Sequence, residues 1–245
     1  MSNIYIRKSE IEETDEGNTC LSAFIFENDA ERKMKFEFPE KYKEYLTTDR
    51  ADPFVAALVW KAMKQGSDIE CEDPVSEKLL YSLNHLYIPA LTFEFHDLKD
   101  AKVKANCALP CATRGATGVI VSGENHDSKV FGILDSINEY KPLVLITDGK
   151  QLNDDFMKDL DERKIFVLPV VHNLDEYFSP EPAQTATIRR LSAALALQGL
   201  FSEIIYIPQY SDREFKLDPS NCDRYEVLST ECFSTDSLRF LLTAF

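Results

Sequence analysis

Between Ser122 and Ser128 the chain reads SGENHDS, which puts two hydroxyls, two carboxylates and an imidazole into seven consecutive positions. Serine hydroxyls and backbone N–H groups hold phosphate oxygens, and a nearby carboxylate holds Mg²⁺ together with them. On that chemistry Ser122, Gly123, Asp127 and Ser128 are candidate anion-binding residues, with Asp127 the candidate Mg²⁺ ligand. Lys129 follows and would suit an anion placed there. The same residues also have plainer uses. Asp127 or Ser128 can cap an ordinary helix, and His126 and Lys129 can be solvated side chains.

The flanking sequence decides how such a loop would be held. The β-branched run Val119–Val121 precedes it, and Val130, Ile133, Leu134 and Ile137 follow at helical spacings of three and four. Strand, polar loop and helix in that order bring free N–H groups and a helix N-terminus to the carboxyl end of a strand, a place suited to an anion.

From Thr117 onward apolar strands alternate with helical patterns. Pro142–Thr147 and Ile165–Val171 read as strands, although Pro169 should end the second early. Leu152–Arg163 and Thr185–Leu200 read as helices, Ser202–Ile207 as a strand stopped by Pro208, and Tyr225–Leu228 as a last strand. This alternation predicts a mostly parallel sheet covered on both faces. Ligands of such sheets bind beyond the carboxyl ends of the strands, where strand order reverses. Four segments are expected to converge there: Ser122–Ser128, Thr147–Lys150, His172-Asn173 and Gln209–Ser211. They add Thr147, Asp148 and His172 to the candidates, and Arg189, on the helix after Thr185, is a further phosphate candidate because its planar fork suits that group.

The first hundred residues have another character. Asn3–Lys8 and Cys20–Glu27 read as strands joined by a solvated acidic loop, and Lys33–Phe38 alternates like a half-buried strand. A helix is predicted from Asp49 or Asp52 as cap, through Pro53, to Gly66. Ser67–Cys71 should be a strand, Val75–Leu86 a helix and Ala90–His96, reading ALTFEFH, another strand. Trp60, the single tryptophan, reads as core. The expectation is α/β overall: a small α+β domain over residues 1–105, then a Rossmann-like parallel sheet flanked by helices over 106–245.

Composition limits the function classes. With 42 acidic against 27 basic residues and a formal charge of −15, non-specific nucleic-acid or anionic-membrane binding is disfavoured. No run reaches the length of a membrane span, and the N-terminus lacks the apolar core of a signal peptide, so a cytoplasmic location is expected. Six cysteines without a CxxC pair, and only four histidines, predict buried thiols and no structural metal.

The loop SGENHDS also resembles the SGGxDS loop of the PP-loop ATP pyrophosphatases, members of the adenine-nucleotide α-hydrolase-like (HUP) superfamily. Thr117-Gly118, the order of later elements, the helix TATIRRLSAALALQGLFSEIIYI, and the front segments ADPFVAALVWKAMKQG and PVSEKLLYSLNHLYIPAL are similar to a bacterial branch of it. The resemblance covers most of the chain and implies a HUP-type fold, with ATP and Mg²⁺ as ligands of the loop. Members with an intact loop cleave ATP between the α and β phosphates and adenylate a substrate. Ser122, Gly123, Asp127 and Ser128 match loop positions. Glu124 replaces the second glycine, and Ser122–Ser128 spans seven positions where the motif has six. Losing that glycine restricts approach of the backbone to phosphate, and Glu124 sets a negative charge beside it. The implied function is therefore a degenerate nucleotide-binding protein acting as a binding or assembly module, with a protein partner or a second copy. The alternative is an adenylating ligase or transferase serving small-molecule, RNA-base or polysaccharide-linked biosynthesis.

Overall fold

A computed structural model describes residues 3–15, 17–121, 128–138, 143–147, 154–178, 182–207 and 229–243. The chain opens with four strands: β1 (Asn3–Ile6), β2 (Glu10–Glu13), β3 (Asn18–Glu27) and β4 (Ala30–Pro39). The β3–β4 hairpin turns through Asn28 and Asp29, both at positive φ, 48° and 64°. These are residue types that tolerate the left-handed region a tight hairpin turn requires. The acidic segment expected to be a solvated loop contains β2, paired antiparallel to β3. Lys33 and Lys43 form ion pairs with Glu12 and Glu13, and the partly buried Ile11 packs on the core, which offsets the strand's poor composition.

Helix α1 (Asp52–Gln65) begins with Pro53 in its first turn and ends at Gly66, whose φ of 70° and N–H bond to the Ala62 carbonyl close the last turn. Neither expected acid caps it. Ala51 occupies the cap position without a side-chain bond. Asp49 instead accepts two N–H bonds from Arg50, and Asp52 turns inward.

Strands β5 (Asp68–Cys71) and β6 (Val75–Ser76) lead into α2 (Glu77–Ser82), a π-helical turn over Leu83–Tyr87, and α3 (Ile88–Glu94). The strand expected at Ala90–His96 is thus mostly helix. Leu79, Leu83, Tyr87 and Leu91 repeat every four residues and are all buried, while Phe93 is 84% exposed. Helical burial outweighs the local alternation. Pro89 lacks the N–H an α-helix would use, and the π-turn immediately before it accommodates the lost bond. Short strands β7 (Val103–Lys104) and β8 (Cys107–Ala108) follow, pairing parallel with β5 and β6.

The second half begins with β9 (Ala116–Val121), α4 (Ser128–Asn138), β10 (Leu143–Thr147) and α5 (Asp154–Glu162). It continues with β11 (Phe166–Pro169), β12 (Val171–His172), α6 (Pro182–Leu195), β13 (Phe201–Ile207) and β14 (Arg239–Leu242). Five of these strands form an all-parallel sheet in the order β11-β10-β9-β13-β14. Pro169 does end β11. The apolar run then continues as β12, which leaves the parallel sheet and pairs antiparallel with β4 in the front sheet, ordered β12-β4-β3-β1-β5-β7 with β2 also on β3. The strand expected at Tyr225–Leu228 lies outside the described residues. β14 fills the sheet edge without having been foreseen.

Side-chain alternation along β9 separates two cores. Val119 and Val121 join Leu134 of α4 and Phe156 and Leu160 of α5 on one face. Ile120 faces the other way, into the large cluster that contains Ile188, Leu191 and Leu195 of α6 and most of α1. Helix α1 packs on α6 and on β5, and its residues Asp52–Trp60 are buried without interruption, so an apolar helix joins the two halves. Gly199 lies against the Tyr45 backbone, where a Cβ would come within 2.6 Å of the carbonyl oxygen. No helix among the described residues is long and apolar enough to cross a membrane.

Candidate functional site

The reversal of strand order falls between β9 and β13. Chain order runs outward from β9 through β10 to β11, then returns to the other side of β9 with β13 and β14. Their carboxyl ends are level, because Val121 pairs with Ile207 in the last register position. Helices α4 and α5 cover one face and α6 the other. In open parallel sheets, ligands bind in the crevice beyond the carboxyl ends of the strands at such a reversal, here β9 and β13.

The local sequence builds that crevice for clear reasons. Gly118 makes room for side chains of β13: a Cβ there would come within 2.4 Å of the Ile204 Cδ1 and 3.1 Å of the Phe201 ring. Three apolar residues then carry β9 to Val121, and α4 starts at Ser128 with an eleven-residue amphipathic stretch. The first turn of such a helix has N–H groups without intrahelical acceptors. On the α6 side the Thr187 hydroxyl lies 3.1 Å from the Tyr206 hydroxyl, a buried pair that fixes α6 on β13 near the strand's carboxyl end.

The residues singled out from sequence fall as follows. Ser128 and Lys129 open α4, and Thr147 is the last residue of β10, next to β9. Ser122, Gly123, Asp127 and Asp148 lie outside the described residues, as do the segment 209–211 and the loop carboxylate Glu124. His172 sits in β12 opposite Phe36 of the front sheet, with the two rings edge-on at 6.5 Å. Asn173 accepts the Lys35 N–H at 2.9 Å and donates to the Lys33 carbonyl at 2.8 Å, which extends the β12–β4 pairing by one side chain. Arg189 projects from α6 to pair with Asp175, its guanidinium carbon 5.8 Å from the Phe178 ring centre.

A second polar constellation, missed in the sequence, lies at the amino end of the parallel sheet. The fully buried Asp52 carboxylate accepts the Ser76 N–H at 2.8 Å, the Ser76 hydroxyl, and the Gln198 side-chain N–H at 2.9 Å. Gln198 accepts in turn from the Thr235 hydroxyl, and Thr235 accepts the Leu238 N–H. Burial pushes the Asp52 carboxyl above its usual range, against the opposing effect of those donors and of Arg50. With every member closed off from solvent, this network serves as a joint between α1 and the turn before β13. Only the positions of serine, threonine and glutamine in space reveal it. In sequence they come from three separate segments, with Asp52 and Gln198 146 residues apart, and no spacing marks them.

Comparison with family models, with curated proteins and with solved structures finds no match to this chain.

Proposed function

We propose that this chain binds a nucleotide beyond the carboxyl ends of β9 and β13 and works as a binding or assembly module. The observation that supports this reading is the reversal of strand order at β9/β13, with α4 opening at Ser128 beside it. Serine hydroxyls at Ser122 and Ser128 and the N–H groups of the first α4 turn are donors of the kind phosphate needs. Asp127 would hold Mg²⁺ between the loop and the phosphates. Thr147 is the last residue of β10, the strand next to β9. A bound nucleotide with its metal would supply an activated phosphoanhydride.

Binding is favoured over adenylation by the loop's own composition. Glu124 stands where the resembling family has a glycine. Its charge repels a triphosphate, and its side chain restricts the close backbone approach that orients one. Both effects weaken transition-state alignment more than ground-state binding, because catalysis depends on exact placement of the phosphates.

Isothermal titration with ATP and with AMP, each with Mg²⁺, tests the proposal. Saturable heat, weakened about tenfold or more by Asp127→Ala, is expected. No heat at millimolar nucleotide would remove this use of the crevice. Release of pyrophosphate from ATP, lost in Asp127→Ala, would replace the module reading with the adenylating enzyme.

A further inference from the structure

The helical segment from α2 to α3 carries an exposed apolar stripe on the side turned away from the core. Leu79, Leu83, Tyr87 and Leu91 fix its inner side. On the outer side Tyr81, His85, Pro89 and Phe93 recur every four residues, with Leu86 and Ala90 beside them, and all six are exposed. Phe93 is 84%, Tyr81 60% and Leu86 51% exposed. Charged residues make up 28% of the chain, yet no Asp, Glu, Lys or Arg lies between Tyr81 and Phe93. A surface depleted of charge and enriched in aromatic rings has the composition of an interface centre.

The stripe stands on a rigid support. The Asn84 amide donates to the Val103 carbonyl and accepts the Val103 N–H, both at 2.9 Å, which ties the π-helical turn to β7. Beneath it, the buried Tyr87 hydroxyl lies 3.1 Å from that of Ser229. On the surface the Tyr81 and His85 rings pack with their centres 4.7 Å apart. A partner therefore meets a preformed ledge, and little ordering is left to oppose association.

Two properties select the partner. The stripe is close to its own mirror in chain order, with an aromatic ring at each end and His85 and Pro89 equally spaced between them. A two-fold axis near Tyr87 thus lays it antiparallel on an identical stripe, Tyr81 against Phe93 and His85 against Pro89 of the other copy. At the flanks the exposed Lys78 comes to the end carrying Glu94 and Asp97, and the exposed Glu77 to that carrying Lys99. The second property is area. At these exposures the six side chains present roughly 500–600 Å², so two copies would cover about 1,000–1,200 Å², the lower end of specific interfaces. The formal charge of −15 on each chain opposes association. Salt screens that repulsion beyond about 8 Å, and the faces that touch are uncharged.

We propose that the α2–α3 face is the interface of a homodimer, in which two copies pack these stripes antiparallel across a two-fold axis. This interface does not rest on the nucleotide reading, and ATP should leave the association unchanged.

Sedimentation velocity of the full chain over about 1–300 µM, in about 0.15 M salt, tests it. A monomer–dimer equilibrium with a Kd of about 10–100 µM is expected for an interface of this size. Phe93→Lys and Tyr81→Glu should each weaken it by about tenfold or more. Both side chains are exposed, so the melting temperature of dilute samples should be unchanged, which shows that the variants are folded. Mixing the two variants tests the geometry. In the mixed dimer one Tyr81–Phe93 contact is native and the other pairs the introduced glutamate with the introduced lysine, so it should form about fivefold or more tighter than either variant alone. The proposal fails if the chain stays monomeric throughout, if a dimer forms that neither variant weakens, or if the mixture associates no better than the separate variants.

Discussion

Replacing Asp52 with alanine should loosen the joint between α1 and the parallel sheet, and the structure sets the size of the effect. The carboxylate satisfies three donors from two residues, Ser76 and Gln198, which are 1% and 0% exposed. The Ser76 hydroxyl can rotate toward another acceptor, whereas the Ser76 N–H and the Gln198 amide cannot. Two stranded buried donors cost about 1–3 kcal/mol each. Removing a desolvated carboxylate returns part of that, leaving a net loss of about 2–4 kcal/mol. For a chain of this length that corresponds to a fall in melting temperature of roughly 5–15 °C. Urea unfolding of wild type, Asp52→Ala, Gln198→Ala and the double variant would separate the terms. The two single losses should be non-additive by about 1 kcal/mol or more, because they break the same contact. A loss below about 1 kcal/mol for Asp52→Ala, or strict additivity, would refute the reasoning. The pH dependence adds a sign. Burial raises the native Asp52 pKa, so the folded state holds the proton more tightly than the unfolded state. That contribution is fully present below the unfolded value of about 3.9 and is lost as pH rises through the native value. Wild type should therefore gain stability relative to Asp52→Asn as pH falls from neutral toward 4, as paired thermal melts across that range would show.

Two glycines make opposite predictions. Gly199→Ala forces a Cβ to within 2.6 Å of the Tyr45 carbonyl oxygen, a backbone atom that cannot swing aside, and should cost about 1–3 kcal/mol by urea unfolding. Gly132 lies in α4 with open space around its would-be Cβ, so Gly132→Ala should gain about 0.5–1 kcal/mol in the same assay. Among the described cysteines, Cys107 is exposed, whereas burial pushes the Cys20 and Cys232 thiols up to about 11. Iodoacetamide at pH 8 should alkylate Cys107 well before either of them, as peptide mass mapping would show.

Elements carrying their own start and stop signals could be read directly from the chain. Pro53 and Gly66 frame α1, and Pro169 divides one apolar run between two sheets. The parallel sheet was evident because its strands are buried on both faces and lie between helical periods. The failures came where a distant partner decides the outcome. β2 is too acidic to read as a strand until Lys33 and Lys43 stand beside it. Ala90–His96 alternates in sequence, but the four-residue repeat through Leu79, Leu83, Tyr87 and Leu91 governs its burial. β14 is short and becomes a strand by pairing with β13. The candidate crevice was readable only as topology. His172 and Arg189, placed in it by chain order, are engaged elsewhere by β4 and by Asp175.

Crystals soaked with AMP or ATP and Mg²⁺ test the central claim most directly. The account predicts nucleotide density beyond Val121 and Ile207, with a phosphate against the first turn of α4 and Ser128. Nucleotide density elsewhere on the protein, or an empty crevice at nucleotide concentrations that saturate the protein in solution, would contradict it.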